Sequence, residues 1–255
     1  MVSNRPETQV ILIIADISGF TRLVAASKMT LLHSQYIVTE LLEAVIAQVD
    51  IPMQVMEVEG DAVFLCTPKQ PPDMSWDELR QIIGAKLLAF MEAFSAKLAQ
   101  LIESNTCHCQ ACDHMARLKL KIIVHSGEVT FRSVAGFKGV HGPDVIIAHR
   151  LLKNSVDADE YILFSEAAWQ DLALPAEVEA VRTVERYDDI GDVPCRTWID
   201  PLGANHLGQL VSSHPPASGW AKFAGGMAKM AATMTMAMGL KKRRPFRHLP
   251  ESPQG

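Results

Sequence analysis

Two acidic residues carry the chemistry expected of this chain. Asp16 ends the apolar run Val10-Ile-Leu-Ile-Ile-Ala15 and is followed by Ile17-Ser18-Gly19-Phe20-Thr21. That order sets a carboxylate at the carboxyl end of a buried strand, beside a glycine turn and a helix start. Free backbone N–H groups at such a start can hold phosphate, and a divalent cation on the acid could bridge the two. Asp61 follows Glu57-Val-Glu-Gly60 at the turn of an expected hairpin. Carboxylates at neighbouring strand ends can hold two Mg²⁺ ions against a triphosphate. One ion then activates a hydroxyl nucleophile and the other stabilises charge on the leaving phosphate. Taken singly, Asp16 also reads as a helix-capping acid and Asp61 as an ordinary turn acid. Taken together, a strand, a helix pair and a hairpin are the right supports for one shared site.

A second cluster is Cys107-His108-Cys109-Gln-Ala-Cys112-Asp-His114. Sulfur and imidazole at this density suit Zn²⁺ in tetrahedral geometry, with Cys107, Cys109, Cys112 and His114 as the expected ligands. The spacing is not that of a standard two-knuckle zinc motif, so an iron–sulfur centre and a metal-free redox-reactive loop stay open. Cys66 and Cys195 fall in expected strands and read as buried core thiols.

The elements that must position these residues can be read from periodicity. Residues 9–15 form an unbroken, β-branched strand. Helices are expected over 20–28 and 30–49, the second with an apolar face from Leu31, Ile37, Leu41, Leu42, Val45 and Ile46. Strands over 53–59 and 61–66 make a hairpin at Glu59-Gly60. Ser75 or Asp77 caps a long helix reaching about residue 103, ahead of a polar insert at 104–116. Strands at 117–125 and 128–135, a glycine-spaced stretch from Gly136 to Gly142 and a helix at 144–153 follow. A strand from Tyr161, a short helix capped by Ser165, and strands at 177–186 and 193–199 complete an α+β sheet with helices packed on it.

Composition narrows the function classes. The 255 residues are 48% hydrophobic with a net charge of −5, which supports a sizeable core and argues against wholesale nucleic-acid binding. No stacking platform for single strands and no Gly-x-x-x-x-Gly-Lys phosphate loop occurs. Five cysteines, three of them in one segment, suit a reducing compartment. The first residues lack a secretory layout, so a cytoplasmic protein is expected. Residues 203–219 read as linker, followed by a Met/Ala-rich stretch over 220–240 and the basic Lys241-Lys-Arg-Arg244. This tail reads either as a solvated extension or as a peripheral contact with anionic lipid at the inner membrane face.

The sequence resembles the class III nucleotidyl cyclases, the adenylate and guanylate cyclase catalytic domain, in a divergent bacterial-type form. The resemblance rests on Ala15 to Thr21, on Gly60-Asp61-Ala62, and on Ile123-Val124-His125-Ser126-Gly127-Glu128-Val129. It rests further on Ala148-His149-Arg150-Leu151-Leu152 and on Ile162-Leu163-Phe164-Ser165-Glu166-Ala167. It implies a ferredoxin-like, palm-type sheet over residues 1–202, with 104–116 as an insert and 203–255 as an appended tail. It also implies head-to-tail pairing of two domains, as a homodimer or with another cyclase domain, with active sites at the interface. Asp16 and Asp61 would bind two Mg²⁺ or Mn²⁺ ions with the Ile17 carbonyl assisting, and Gly19, Phe20 and Thr21 would hold the phosphates. The ribose 3′-hydroxyl would attack the α-phosphorus, and Arg150 from the other subunit would stabilise the transferred phosphoryl group. The base-reading positions fall on Glu57, which suits guanine over adenine, and on Gly139; Glu57 also reads as an exposed strand residue.

Ile146 departs from this pattern. The family carries asparagine four residues before the arginine, where it orients the ribose, and isoleucine cannot hydrogen-bond. The expected activity is therefore a nucleotidyl cyclase acting on a purine nucleoside triphosphate, GTP ahead of ATP. The alternative is a catalytically weak or inactive cyclase-fold module that binds nucleotide.

Overall fold

Strand β1, Thr8–Ser18, lies inside the sheet with a partner on each edge. The computed structural model describes residues 7–19, 28–50, 52–134 and 137–199, together with isolated helical positions at 227, 230, 231, 234 and 235. β1 pairs antiparallel with β3 (Ala62–Pro68) on one side and with β4 (Lys119–Val134) on the other. β2 (Gln54–Glu59) forms a hairpin with β3. β6 (Tyr161–Ser165) joins β4 in parallel, and β8 (Gly191–Trp198) and β7 (Val181–Tyr187) close the far edge. The order is β2-β3-β1-β4-β6-β8-β7, with β5 (Phe137–His141) paired to the distal half of β4.

The unbroken apolar run of β1 follows from burial on both faces. Ile11, Ile13, Ala15 and Ile17 point to one core, and Val10, Leu12 and Ile14 to the other. Helices α1 (Lys28–Ile46) and α2 (Trp76–Glu103) cover the first face through Ile37, Leu41, Val45, Ile83, Leu87, Phe90 and Phe94. Helix α4 (Pro143–Leu151) covers the second through Ala148 and Leu151. Ser75 caps α2 by accepting the Glu78 N–H at 3.3 Å, and Ser165 caps α5 (Glu166–Asp171) by accepting that of Ala168 at 3.2 Å.

Three expectations are corrected. The strands expected at 117–125 and 128–135 are one strand, β4, because Ser126 and Gly127 stay in register with Ile11 and Val10. The glycine-spaced stretch from 136 to 142, expected only to lead into a helix, contains β5, which bends back onto β4. The insert at 104–116 is not uniformly polar: it holds the short helix α3 (Gln110–His114) and a 3₁₀ turn at Met115–Arg117, and it buries Ala111, Cys112 and Met115 in the main core. The helix expected over 20–28 falls almost wholly outside the described residues, as does nearly all of 203–255. No helix among the described residues is long and apolar enough to cross a membrane.

Gly84 lies inside α2, where alanine would ordinarily gain about 1 kcal/mol of helix propensity. A Cβ there would stand 2.3 Å from the Ala173 carbonyl oxygen. That atom is backbone and cannot swing aside, and overpacking of this kind costs about 1–3 kcal/mol. Gly84→Ala should therefore destabilise, by up to about 2 kcal/mol net. The check is a lower urea midpoint at unchanged slope; a higher midpoint would show that the helix and the Ala173 segment separate freely.

Candidate functional site

Asp16 is the next residue on the same side of β1 as Val10, Leu12 and Ile14, so it belongs to the α4 face. It stands in register with Ala62 on β3 and with Lys121 on β4. Asp61 occupies the two-residue turn of the β2–β3 hairpin with Gly60, whose φ of +59° is the left-handed geometry glycine takes at no cost. The Ile17 N–H donates to the Asp61 carbonyl at 3.1 Å and fixes this turn against the end of β1. The two carboxylates thus come together from elements far apart in sequence.

Their electrostatics are set by burial and by their mutual repulsion. Burial raises the pKa of Asp61 and the neighbouring Asp16 raises it further, while its own backbone and Lys121 pull the other way and lose. Lys121 donates to Asp16 Oδ2 at 2.9 Å. Burial works to lower the Lys121 ammonium, but the hydrogen bond to Asp16 and the charges of Asp16, Tyr161 and Asp61 win and raise it. An all-oxygen set of two carboxylates with excess negative charge fits hard divalent cations such as Mg²⁺ or Mn²⁺. Lys121 escaped the sequence reading. Its signal was a single cation in the apolar run Leu120 to Val124, which calls for a buried counter-charge.

Tyr161 is in register with Lys121, and its hydroxyl bonds Asn154, three residues past the end of α4. The carboxyl end of α4 is thereby brought to the Asp16 end of the sheet. Arg150, in the last turn of α4, is ion-paired to Asp189 in the β7–β8 turn rather than to either carboxylate. Ile146 lies one turn earlier on α4 and is 55% exposed. Asn154 bonds the Leu151 carbonyl, the Val156 N–H and Tyr161, and His149 packs edge-on against Phe64, so both are engaged within the fold. Glu57 is exposed on β2, beside a bulge between Val55 and Glu57. Gly139 sits in β5 opposite Arg132. Gly19 closes β1 with a φ of +88°; Phe20 and Thr21 lie outside the described residues.

His125 serves the scaffold. Its Nδ1 lies 2.9 Å from Ser165 Oγ and its Nε2 lies 3.0 Å from Asp144 Oδ1. Burial depresses its pKa more than Asp144 raises it, so the ring is neutral, with Nε2–H donating to Asp144 and Nδ1 accepting from Ser165. The other Asp144 oxygen accepts the Glu128 N–H at 2.7 Å, which anchors the start of α4. A Cβ on Gly127 would lie 2.1 Å from the Asp144 carboxyl carbon. Gly127 is required there so that Asp144 can lie over the strand.

The cysteine insert forms a second centre with a ligand set different from the one expected. His33 of α1 brings its Nδ1 to 3.2 Å from Cys109 Sγ, 3.5 Å from Cys112 Sγ and 3.6 Å from Cys107 Sγ. The Sγ atoms of Cys109 and Cys112 are 3.4 Å apart, and all four donor atoms lie within 4.8 Å of one another. His114 is outside this group. It follows Cys112 by two residues on α3, and residues so spaced do not share a helix face. Burial acts to raise the Cys109 thiol, but hydrogen bonding from the Cys112 backbone and thiol, the Cys107 thiol and the Ala111 backbone prevails and lowers it. Cys66 and Cys195, by contrast, are pushed up to about 12 by burial.

The raised pKa of Asp61 has a definite sign for stability. The folded state holds this proton more tightly than the unfolded chain. The resulting stabilisation is complete below the ordinary carboxylate value of about 3.9 and is lost as pH rises through the folded value. At neutral pH the ionised group therefore opposes folding. Asp61→Asn should raise the melting temperature at pH 7.5 in chelator, with the gain shrinking toward pH 4. Mn²⁺ should stabilise the parent protein and leave the variant unmoved. A variant that melts no higher than the parent at pH 7.5 would contradict the charge assignment.

A family model described as a protein of unknown function, DUF2652, matches residues 38–161. The uncharacterized protein Rv2561/Rv2562 of Mycobacterium tuberculosis is 27% identical over 184 residues, which cover 69% of this chain and 78% of the relative. The adenylyl cyclase CyaB from P. aeruginosa is similar in structure, with a TM-score of 0.55 and 13% identity over 77% of this chain and 96% of that one. The guanylyl cyclase Cya2 gives the same four values. The guanylate cyclase domain of RhGC from Catenaria anguillulae, solved in complex with GTP, gives a TM-score of 0.51 and 16% identity over 76% of this chain and 97% of that one. The likeness to these solved structures shows that the chain has the fold of the adenylyl and guanylyl cyclase catalytic domains, in a form divergent in sequence.

Proposed function

We propose that this protein is a nucleotidyl cyclase that converts a purine nucleoside triphosphate, GTP ahead of ATP, into its 3′,5′-cyclic monophosphate and pyrophosphate. The observation that carries this reading is the juxtaposition of Asp16 and Asp61 at the end of β1, on a fold shared with adenylyl and guanylyl cyclase domains. The reaction forms a bond from the ribose 3′-oxygen to the α-phosphorus and breaks the bond from that phosphorus to the oxygen bridging the β-phosphate. The 3′ proton passes to solvent, and pyrophosphate leaves with the electron pair.

Asp16 and Asp61, with the Ile17 carbonyl, would hold two divalent cations. Such ions lower the pKa of the 3′-hydroxyl and offset charge on the leaving phosphate. The backbone at Gly19, Phe20 and Thr21 receives the terminal phosphates. Glu57 can accept from the N1–H and exocyclic amine of guanine, and its exposure on β2 leaves it open to a base. Gly139 adds space at a guanine edge without a contact. Arg150, from a second copy paired head to tail, stabilises charge on the transferred phosphoryl group, and its guanidinium must leave Asp189 to do so.

Ile146 favours a second reading, a cyclase-fold module that binds nucleotide and turns it over slowly or not at all. Its side chain offers no hydrogen bond to a ribose, and Asn154 and His149 on the same segment are engaged within the fold. A reacting hydroxyl misplaced by about 1 Å can lose about a hundredfold in rate.

The test is to incubate the protein with Mn²⁺ or Mg²⁺ and each of the four ribonucleoside triphosphates, then to detect cyclic product by mass spectrometry. Product should form and should disappear in the Asp16→Ala/Asp61→Ala double variant. Arg150→Ala should lower kcat by about 10³-fold, and Ile146→Asn should raise it by up to about a hundredfold. Glu57→Lys should move preference from GTP toward ATP. Nucleotide binding without product, in the parent and in Ile146→Asn alike, would establish the second reading.

A further inference from the structure

We propose that His33, Cys107, Cys109 and Cys112 form a structural Zn²⁺ site that fastens α1 to the segment between α2 and β4. The distances carry the proposal. Tetrahedral zinc, with Zn–S near about 2.3 Å and Zn–N near about 2.0 Å, sets S···N edges of about 3.5 Å and S···S edges of about 3.8 Å. The three S···N edges here are 3.2, 3.5 and 3.6 Å, and the Cys109–Cys112 edge is 3.4 Å. One imidazole nitrogen is thus nearly equidistant from three sulfurs, which is the arrangement a single shared ion requires. A disulfide would join two of these sulfurs and leave the third sulfur and the ring without a common partner. A multi-iron cluster spreads its ligands over several metal atoms, whereas these four donors all lie within 4.8 Å of one another.

The surroundings fit a closed, structural site. His33 and Cys112 are buried at 9% and 4% exposure, and Cys107 and Cys109 pack against the main core. Asn105 braces the approach to the site, donating to the Cys107 carbonyl at 2.9 Å and accepting the Cys107 N–H at 3.1 Å. Four protein donors complete a tetrahedron and leave no position for substrate. On binding, the three thiols release their protons to solvent, so the filled site carries one net negative charge. The cluster lies on the α1–α2 face of the sheet and Asp16 on the α4 face. The site therefore stands or falls independently of cyclase activity.

The test uses the full-length chain purified without chelator, with metals measured by plasma mass spectrometry. One zinc per chain is expected. Exchange into Co²⁺ should give the intense visible bands of a tetrahedral thiolate site together with sulfur-to-cobalt charge transfer. His33→Ala should lose the zinc and the tetrahedral bands, while His114→Ala should keep both. Because His33→Ala could fail to fold, His33→Cys serves as the second variant: it should retain one zinc, with the cobalt spectrum moved to that of a four-thiolate site. Loss of zinc from His114→Ala with retention in His33→Ala would overturn the assignment. So would an octahedral cobalt spectrum, iron in place of zinc, or a parent protein that takes up no zinc when the metal is supplied.

Discussion

The constraint on which this structure depends is the placing of β1 inside both the sheet and the core. Six consecutive residues, Val10 to Ala15, have at most 1% exposure, and each edge of the strand is satisfied by an antiparallel partner. Six apolar side chains in a row are tolerable only when both faces are covered, and α1 with α2 and α4 provide that cover. A backbone so enclosed must have every N–H and C=O paired, which holds the register of β3 and β4. Once the register is fixed, Asp16 has no freedom. It meets Lys121 across one edge and the Asp61 turn across the other, at the point where the apolar run stops.

The Asp16–Asp61–Lys121 group places function against stability. Three charged side chains, each partly buried, meet where a fully paired apolar trio would cost less. Lys121 offsets one of the two carboxylates and leaves the other with excess negative charge. A scaffold selected for stability alone would have no use for this imbalance, whereas the proposed cation site would use it. His125 shows the contrasting case. It is buried, but its neutral ring has a matched partner at each nitrogen, and its work is to hold α4 in place.

Much of this was legible in the sequence, and the parts that were not share a cause. The strand run, the Gly60-Asp61 turn, the Ser75 and Ser165 caps and the apolar stripe of α1 are set by neighbours within a few residues. The carboxylate pair was legible because a strand end and a tight turn each fix a side chain locally. The partnerships of Lys121 with Asp16 and of His33 with three cysteines are set by tertiary register, and no local rule points to either. His114 looked suitable because it is near in sequence, yet on a helix a residue two positions on faces away. Gly127 fell between the two strands expected at 117–125 and 128–135, and only the position of Asp144 shows why a side chain is excluded there.

The spacing of the cysteine–histidine cluster also bears on how the chain is made. One of its four donors is at residue 33 and the others are at 107, 109 and 112. A ribosome adding about 5–20 residues per second needs between about 4 and about 16 s to travel from the first donor to the last. Throughout that interval α1 exists without the segment that would hold it, and β1 exists without β4. The nascent chain therefore carries its buried apolar strand half-paired until β4, Lys119–Val134, has been synthesised. The period of greatest exposure to misassembly lasts until β4 has emerged from the exit tunnel.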